Sequence, residues 1–147
     1  MLASDLKNRE INISEILSDG IEVDIETTII DTIEIIMRGK DVTCLIVLEG
    51  LKPKGIVEKE KLDEIPAIVM LLNKPISRVM SRKIFLAEHN ESVLTVFERA
   101  KSCEIGERGD IVIVQKNGKY LGYVKFSRLI DKANDIKIYK NKKNRLF

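Results

Sequence analysis

The 147-residue sequence has no tryptophan, one histidine, two cysteines and three prolines, and only 5% of it is aromatic. Each scarcity excludes something. Cys44 and Cys103 are too few and too far apart for a disulfide framework or a zinc site. His89, in AEHNES ahead of a helix, has neither a second ligand nor a nucleophile partner, so it reads as a capping or solvated residue. Scarce aromatics leave few platforms on which bases could stack, so nucleic acid is not an expected partner. No apolar run approaches the roughly 18 residues that span a bilayer. The opening MLASDLKNRE lacks the basic start and apolar stretch of a secretory signal, and cytoplasm is the compartment these absences leave. No Gly-rich phosphate loop, HExxH or GxSxG is present, so no enzyme, metal site or catalytic cofactor is expected.

What the chain does have is enough apolar material for a core, 44% of residues, beside 33% charged residues. The formal charge of +2 hides an asymmetry. Residues 132–147 carry Lys132, Lys137, Lys140, Lys142, Lys143 and Arg145 against Asp135, which is 6 − 1 = +5, leaving 2 − 5 = −3 elsewhere. A basic terminal stretch of this kind reads as a solvated, frayed tail.

The chain also repeats itself. ISEILSDGIEVDIETTIIDTIEIIM (13–37) is answered by ISRVMSRKIFLAEHNESVLTVFERAK (76–101), and KGIVEKEKL (54–62) by LGYVKFSRL (121–129), at a spacing of 63 to 67 residues. A half of about 60 residues is marginal as a separate core, so the two halves are expected to pack together.

In the first half Ile21, Val23 and Ile25 alternate with acids, the period of a half-buried strand after the Asp19-Gly20 turn. Ile29, Ile33, Ile36 and Met37 mark one face of a helix over 28–38, with Gly39 as its stop. VTCLIVL (42–48) reads as a strand buried on both faces, with Cys44 a small core residue. A short strand follows at 54–57, then a helix from 58, broken at Pro66 where a further helix runs to about 73. The acids Glu22, Asp24, Glu26, Asp31 and Glu34 fall on exposed faces. In the second half Asn90 is read as the cap of a helix striped by Val93, Val96, Phe97 and Ala100. Cys103 ends that helix. DIVIVQ (110–115) is the buried strand, Lys116-Asn117-Gly118-Lys119 a positive-φ hairpin turn, and 120–124 the return strand before a helix over 125–134.

The predicted fold class is α+β: two pseudo-symmetric β-α-β-β-α repeats, each with a three-stranded mixed sheet, packed together. The crossover makes the first two strands parallel and the hairpin makes the last two antiparallel. The boundaries are an N-terminal segment 1–11, where Leu2 and Leu6 can dock, a first repeat 12–73, a second repeat 74–134 and a basic tail 135–147.

This order of pieces resembles a tandem pair of CBS (cystathionine-β-synthase-type) domains, a Bateman module. The matching pieces are Ile76-Ser77-Arg78-Val79-Met80-Ser81, the Ser92-Val93 helix start, residues 110–115, and the closing stretch Gly122-Tyr123-Val124-Lys125-Phe126-Ser127-Arg128-Leu129, with Gly55-Ile56-Val57-Glu58-Lys59-Glu60-Lys61-Leu62 in the corresponding place of the first half. The resemblance implies a regulatory module that binds an adenosine-containing ligand (AMP, ADP, ATP or S-adenosylmethionine) in the cleft between repeats, forms a homodimer and signals to an effector protein or output domain. The usual closing motif of such domains reads Gly-Ile-Val-Thr-x-x-Asp. Here Glu58 and Lys125 stand at the Thr place, and Lys61 and Arg128 at the Asp place. Lys125 and Arg128 at a helix start suit an anion, with Asp131 a turn beyond as an acceptor. By resemblance Ser81, Ile84, Leu86 and Asp110 complete that second-repeat site. The weaker first-repeat site is Ser18, Ile21, Val23, Thr43, Glu58 and Lys61, where Glu58 repels phosphate. The other reading of the altered motif is a ligand-free pair serving for dimerisation or protein docking.

Overall fold

The structure is a computed structural model and describes residues 11–18, 20–39, 42–64, 71–103 and 110–146. The N-terminal docking by Leu2 and Leu6, the Asp19 half of the first turn and the expected helix from Pro66 lie outside the described residues.

Two three-stranded sheets of identical plan organise the chain. In the first, β1 (Ile21–Asp24) lies parallel to β2 (Cys44–Glu49), and β2 is antiparallel to β3 (Lys52–Glu58). In the second, β4 (Phe85–Glu88) lies parallel to β5 (Ile111–Lys116), which neighbours β6 (Lys119–Lys125). The parallel pairs are joined by crossover helices, α1 (Ile29–Arg38) and α3 (Val93–Lys101), and each hairpin runs into a closing helix, α2 (Lys59–Glu64) or α4 (Phe126–Leu146).

Local chemistry explains these elements. Thr28 and Ser92 cap α1 and α3, each side-chain oxygen accepting the backbone N–H three residues on, from Asp31 and Thr95. Ser92 therefore holds the cap expected of Asn90. The β5–β6 turn has positive φ at Asn117 (54°) and Gly118 (79°), the geometry that makes Asn-Gly a hairpin signal. Gly39 ends α1 in extended backbone, its N–H donating to the carbonyls of Ile35 and Ile36. Pro53 sits inside β3 opposite Leu48, where the register shifts between Val47 and Leu48; a residue without an N–H is tolerated at such an irregularity.

Two chain segments lead the repeats, and each packs into the core of the other repeat. One compact unit comprises residues 1–18, 85–117 and 121–147; the other comprises 19–84 and 118–120. Ile13 and Ile76, both fully buried, sit at matching places in the two cores. The core of the first unit gathers Ile13, Ile16, Phe85, Val93, Val96, Val112, Val114, Leu129 and Ala133. That of the second gathers Val23, Ile29, Ile36, Leu45, Val47, Val57, Leu62, Ile76 and Met80.

Two elements depart from expectation. Cys44 is half-buried at the start of β2 rather than in its middle. The closing helix of the second repeat does not stop near 134: α4 runs 21 residues to Leu146, so the basic stretch expected to fray is helical. Leu129 and Ala133 bury its first turns, and the Lys137 ammonium bonds Glu98 of α3 at 3.1 Å while standing 4.8 Å over the Phe97 ring.

Candidate functional site

The two closing helices start from equivalent frames. In the first repeat the Lys59 N–H donates to the Thr43 carbonyl at 2.9 Å; in the second the Phe126 N–H donates to the Asp110 carbonyl at 2.8 Å. Each bond ties the start of a closing helix to the backbone just ahead of the buried strand. Glu58, paired with Cys44 across β2 and β3, stands immediately before α2. Lys125, the last residue of β6, stands immediately before α4.

A second pair of frames involves the lead-in segments. Ser81 exchanges two backbone hydrogen bonds with Ile56 of β3, at 2.8 and 3.0 Å. Ser18 exchanges two with Tyr123 of β6, at 2.8 and 3.2 Å. The lead-in of each repeat thus edges the last strand of the other. The strand residue just before each bridge is glycine, and the close approach explains it. A Cβ on Gly55 would stand 2.7 Å from both the Ser81 carbonyl oxygen and Met80 Sδ; one on Gly122 would stand 3.1 Å from the Ser18 oxygen and 3.3 Å from Leu17. Both glycines were read from the sequence only as motif letters, although their matched places in the duplicated motif were the available signal.

Of the residues expected at the second-repeat site, Leu86, Asp110, Lys125, Arg128 and Asp131 lie in one unit, whereas Ser81 and Ile84 lie in the other. Of the first-repeat set, Ile21, Val23, Thr43, Glu58 and Lys61 lie in one unit and Ser18 in the other. Val23 turns its side chain into the core. Leu86 is partly exposed, and its carbonyl accepts a 2.9 Å bond from the Arg99 guanidinium. The Ser81 hydroxyl accepts the Lys83 N–H at 3.3 Å.

The charges at the two helix starts differ in sign. α2 carries Glu58 and Glu60 at its start, the sign that a helix N-terminus favours. α4 has no acid in its first turn and instead has Lys125 and Arg128, both exposed. Two cations at the positive end of a 21-residue helix are an unfavourable arrangement until an anion joins them. Among the described residues neither has an ion-pair partner, and Arg128 makes none with Asp131 three residues on. His89 donates its backbone N–H to Gln115, while its Nδ1 is buried without a hydrogen-bond partner among the described residues. Glu22, Asp24, Glu26, Asp31 and Glu34 are all exposed. Among the described residues no three His, Cys, Asp or Glu side chains group as a metal site would need, and no helix is long and apolar enough to cross a membrane.

No protein-family model matches the sequence, and no curated protein matches it significantly. Solved structures do match in fold. The CBS-pair protein CBSX2 from Arabidopsis thaliana superposes with a TM-score of 0.66 at 15% identity, covering 88% of this chain and 98% of that one. The CBS-domain pair of protein MJ0100, solved in complex with 5′-methylthioadenosine and S-adenosyl-L-methionine, gives 0.64 at 19% identity over 88% and 99% of the two chains. CBSX2 in complex with AMP gives 0.63 at 18% identity over 86% and 98%. The chain has the fold of a tandem CBS-domain pair, with the α+β class and paired mixed sheets expected of it.

Proposed function

We propose that this chain is a non-catalytic regulatory module that senses an adenosine-containing nucleotide, held chiefly by the second repeat. One observation carries the reading: Lys125 and Arg128 both stand at the N-terminal end of α4 with no ion-pair partner among the described residues. A phosphate there would accept charge-assisted hydrogen bonds from both side chains and meet the helix dipole with the favourable sign. Asp110 supplies a carboxylate beside the same helix start, able to accept the amino group of an adenine. Asp131 offers a further acceptor, and Leu86 of the same unit a partly exposed apolar contact. The nucleotide complexes of the similar MJ0100 and CBSX2 structures support the ligand class.

The first repeat lacks this chemistry. Glu58 competes with a phosphate for the same N–H groups, and Lys61 is donor-only, unable to accept from ribose hydroxyls. Ile21 and Thr43 would then frame a site without an anion anchor. Ligand binding would favour one of two arrangements of the module by differential affinity, and a homodimer would present that arrangement to an effector protein or output domain.

The test is the thermal midpoint of the protein against AMP, ADP, ATP and S-adenosylmethionine. A ligand at 100 times its dissociation constant adds about 2.7 kcal/mol, an easily measured rise. Lys125→Ala with Arg128→Ala should remove the rise, and Glu58→Ala should leave it. A midpoint that none of the four moves would favour the second reading, a ligand-free pair used for dimerisation or docking, to which the charged residues at both Thr and both Asp places already point.

A further inference from the structure

The start of α4 offers donors where a free ribose needs acceptors. Lys125 directly precedes the helix and Arg128 lies in its first turn, both exposed and neither with an ion-pair partner among the described residues. An ammonium and a guanidinium donate hydrogen bonds and accept none. The backbone adds donors of the same kind, because the first N–H groups of a helix have no partner within it. That of Phe126 goes to the Asp110 carbonyl at 2.8 Å, which leaves those of Ser127 and Arg128 for a ligand. The exposed Ser127 hydroxyl is the one side chain of this turn able to accept. The first repeat is built otherwise: α2 starts after Glu58 and carries Glu60, so carboxylate acceptors flank its Lys61.

A ribose with free 2′ and 3′ hydroxyls presents protons that need an acceptor, and a donor-only partner leaves them unpaired. Phosphate esterified to one of those hydroxyls reverses the polarity. The group becomes an acceptor-only anion, which a guanidinium grips with two parallel hydrogen bonds. The same exchange separates two kinds of dinucleotide site, where an acid takes a free ribose hydroxyl and an arginine takes a phosphorylated one. Lys125 and Arg128 are about 4.5 Å apart along the axis at 1.5 Å per residue, and side chains of that length can each hold a phosphate of their own.

We propose that the second-repeat site takes an adenosine phosphorylated on its ribose ring. A 5′ phosphate meets Lys125 and the open N–H groups of α4, and a second phosphate, on the 2′ or 3′ oxygen, meets Arg128. The proposal rests on the nucleotide-sensing reading and names the ligand class within it. An unbranched polyphosphate would also meet both cations, but it leaves the ribose hydroxyl protons to Ser127 alone. S-adenosylmethionine would bring a sulfonium cation to two cations of its own sign.

The experiment is isothermal titration calorimetry of the full chain with AMP, adenosine 2′,5′-bisphosphate, adenosine 3′,5′-bisphosphate and inorganic triphosphate. One bisphosphate should bind about tenfold or more tightly than AMP, the worth of one charge-assisted pair. Arg128→Ala should bring that bisphosphate to the AMP level and change AMP little, whereas Lys125→Ala should weaken both alike. Arg128→Asp supplies an acceptor and should invert the order, with AMP bound more tightly than by the wild-type chain. Misfolding cannot produce that gain. Two further pairs identify the source of the ring phosphate: NADP+ preferred over NAD+ places it at 2′, and coenzyme A preferred over its 3′-dephospho form places it at 3′. Equal binding of AMP and both bisphosphates, or triphosphate binding as tightly as either, would overturn the ring-phosphate assignment and leave the nucleotide reading standing. Binding of none of the adenosine compounds would overturn both.

Discussion

The two repeats share a backbone and differ in side chains. The helix-start bonds from Lys59 to Thr43 and from Phe126 to Asp110 differ by 0.1 Å, and both lead-in bridges fall on the residue after a glycine. Against that sameness, the helix starts carry Glu58 in one copy and Lys125 with Arg128 in the other, and matching places on the crossover helices hold an exposed Met37 in one copy and Lys101, standing over the Phe97 ring, in the other. The backbone frames are fixed by hydrogen bonds that no side chain can replace, so both copies need them. The helix-start side chains are exposed and free to diverge, which separates what folding demands from what a ligand demands.

The comparison can be broken at several strengths. Ile13→Ala and Ile76→Ala remove matched, fully buried side chains, and each should cost about 2–5 kcal/mol in urea denaturation; a loss confined to one would deny that the lead-ins are equivalent. Gly55→Ala should cost about 2–3 kcal/mol, because its Cβ meets the Ser81 backbone, whereas Gly122→Ala should cost about 1 kcal/mol where contacts open to 3.1 Å or more. Equal losses would show that the tighter approach is not felt. Arg99→Ala removes a paired grip on Glu91, at 2.6 and 3.0 Å, together with its bond to the Leu86 carbonyl. The group is partly exposed, so about 1 kcal/mol is expected by thermal melting, and Ile35→Arg at the matching place in α1 should not recreate it.

The smallest effect concerns Glu98, whose carboxyl is held below the usual carboxylate range by the hydrogen bond from Lys137 and then by the charge of Lys101. A depressed folded value contributes stability above the ordinary carboxylate range and loses it as pH falls through the depressed value. The group is exposed, so its effect on folding is slight; NMR titration of its side chain should move back toward the ordinary range in Lys137→Met. An unchanged titration would remove Lys137 as the cause.

The duplication, the α1 stripe of Ile29, Ile33 and Ile36 and the Asn117-Gly118 turn were legible because each depends on neighbours in sequence. The length of α4 was not. Its last turns hold four like charges with no apolar stripe, a pattern that reads as a tail, while the anchoring comes from Leu129, Ala133 and Lys137 on earlier turns. The Asn90 reading failed because two good capping residues lie two places apart, and only the backbone shows which one closes the ring. The exchange of lead-ins left no periodic signal at all, since periodicity describes one element and never names its partner. For the candidate site, the contrast of Glu58 with Lys125 and Arg128 was readable directly; that the two cations have no ion-pair partner among the described residues needed the structure.

The bridge between Ser18 and Tyr123 sets a timetable for synthesis. Residues 11–18 leave the ribosome early, but the strand and helix they join, through Ile13 to Glu91 and Ser18 to Tyr123, are translated many residues later. At about 5–20 residues per second, the apolar side chains of Ile11, Ile13 and Ile16 wait several seconds before their core exists. The other unit is nearly complete by residue 84 and can close first, making the order of folding a property of which repeat the ribosome finishes.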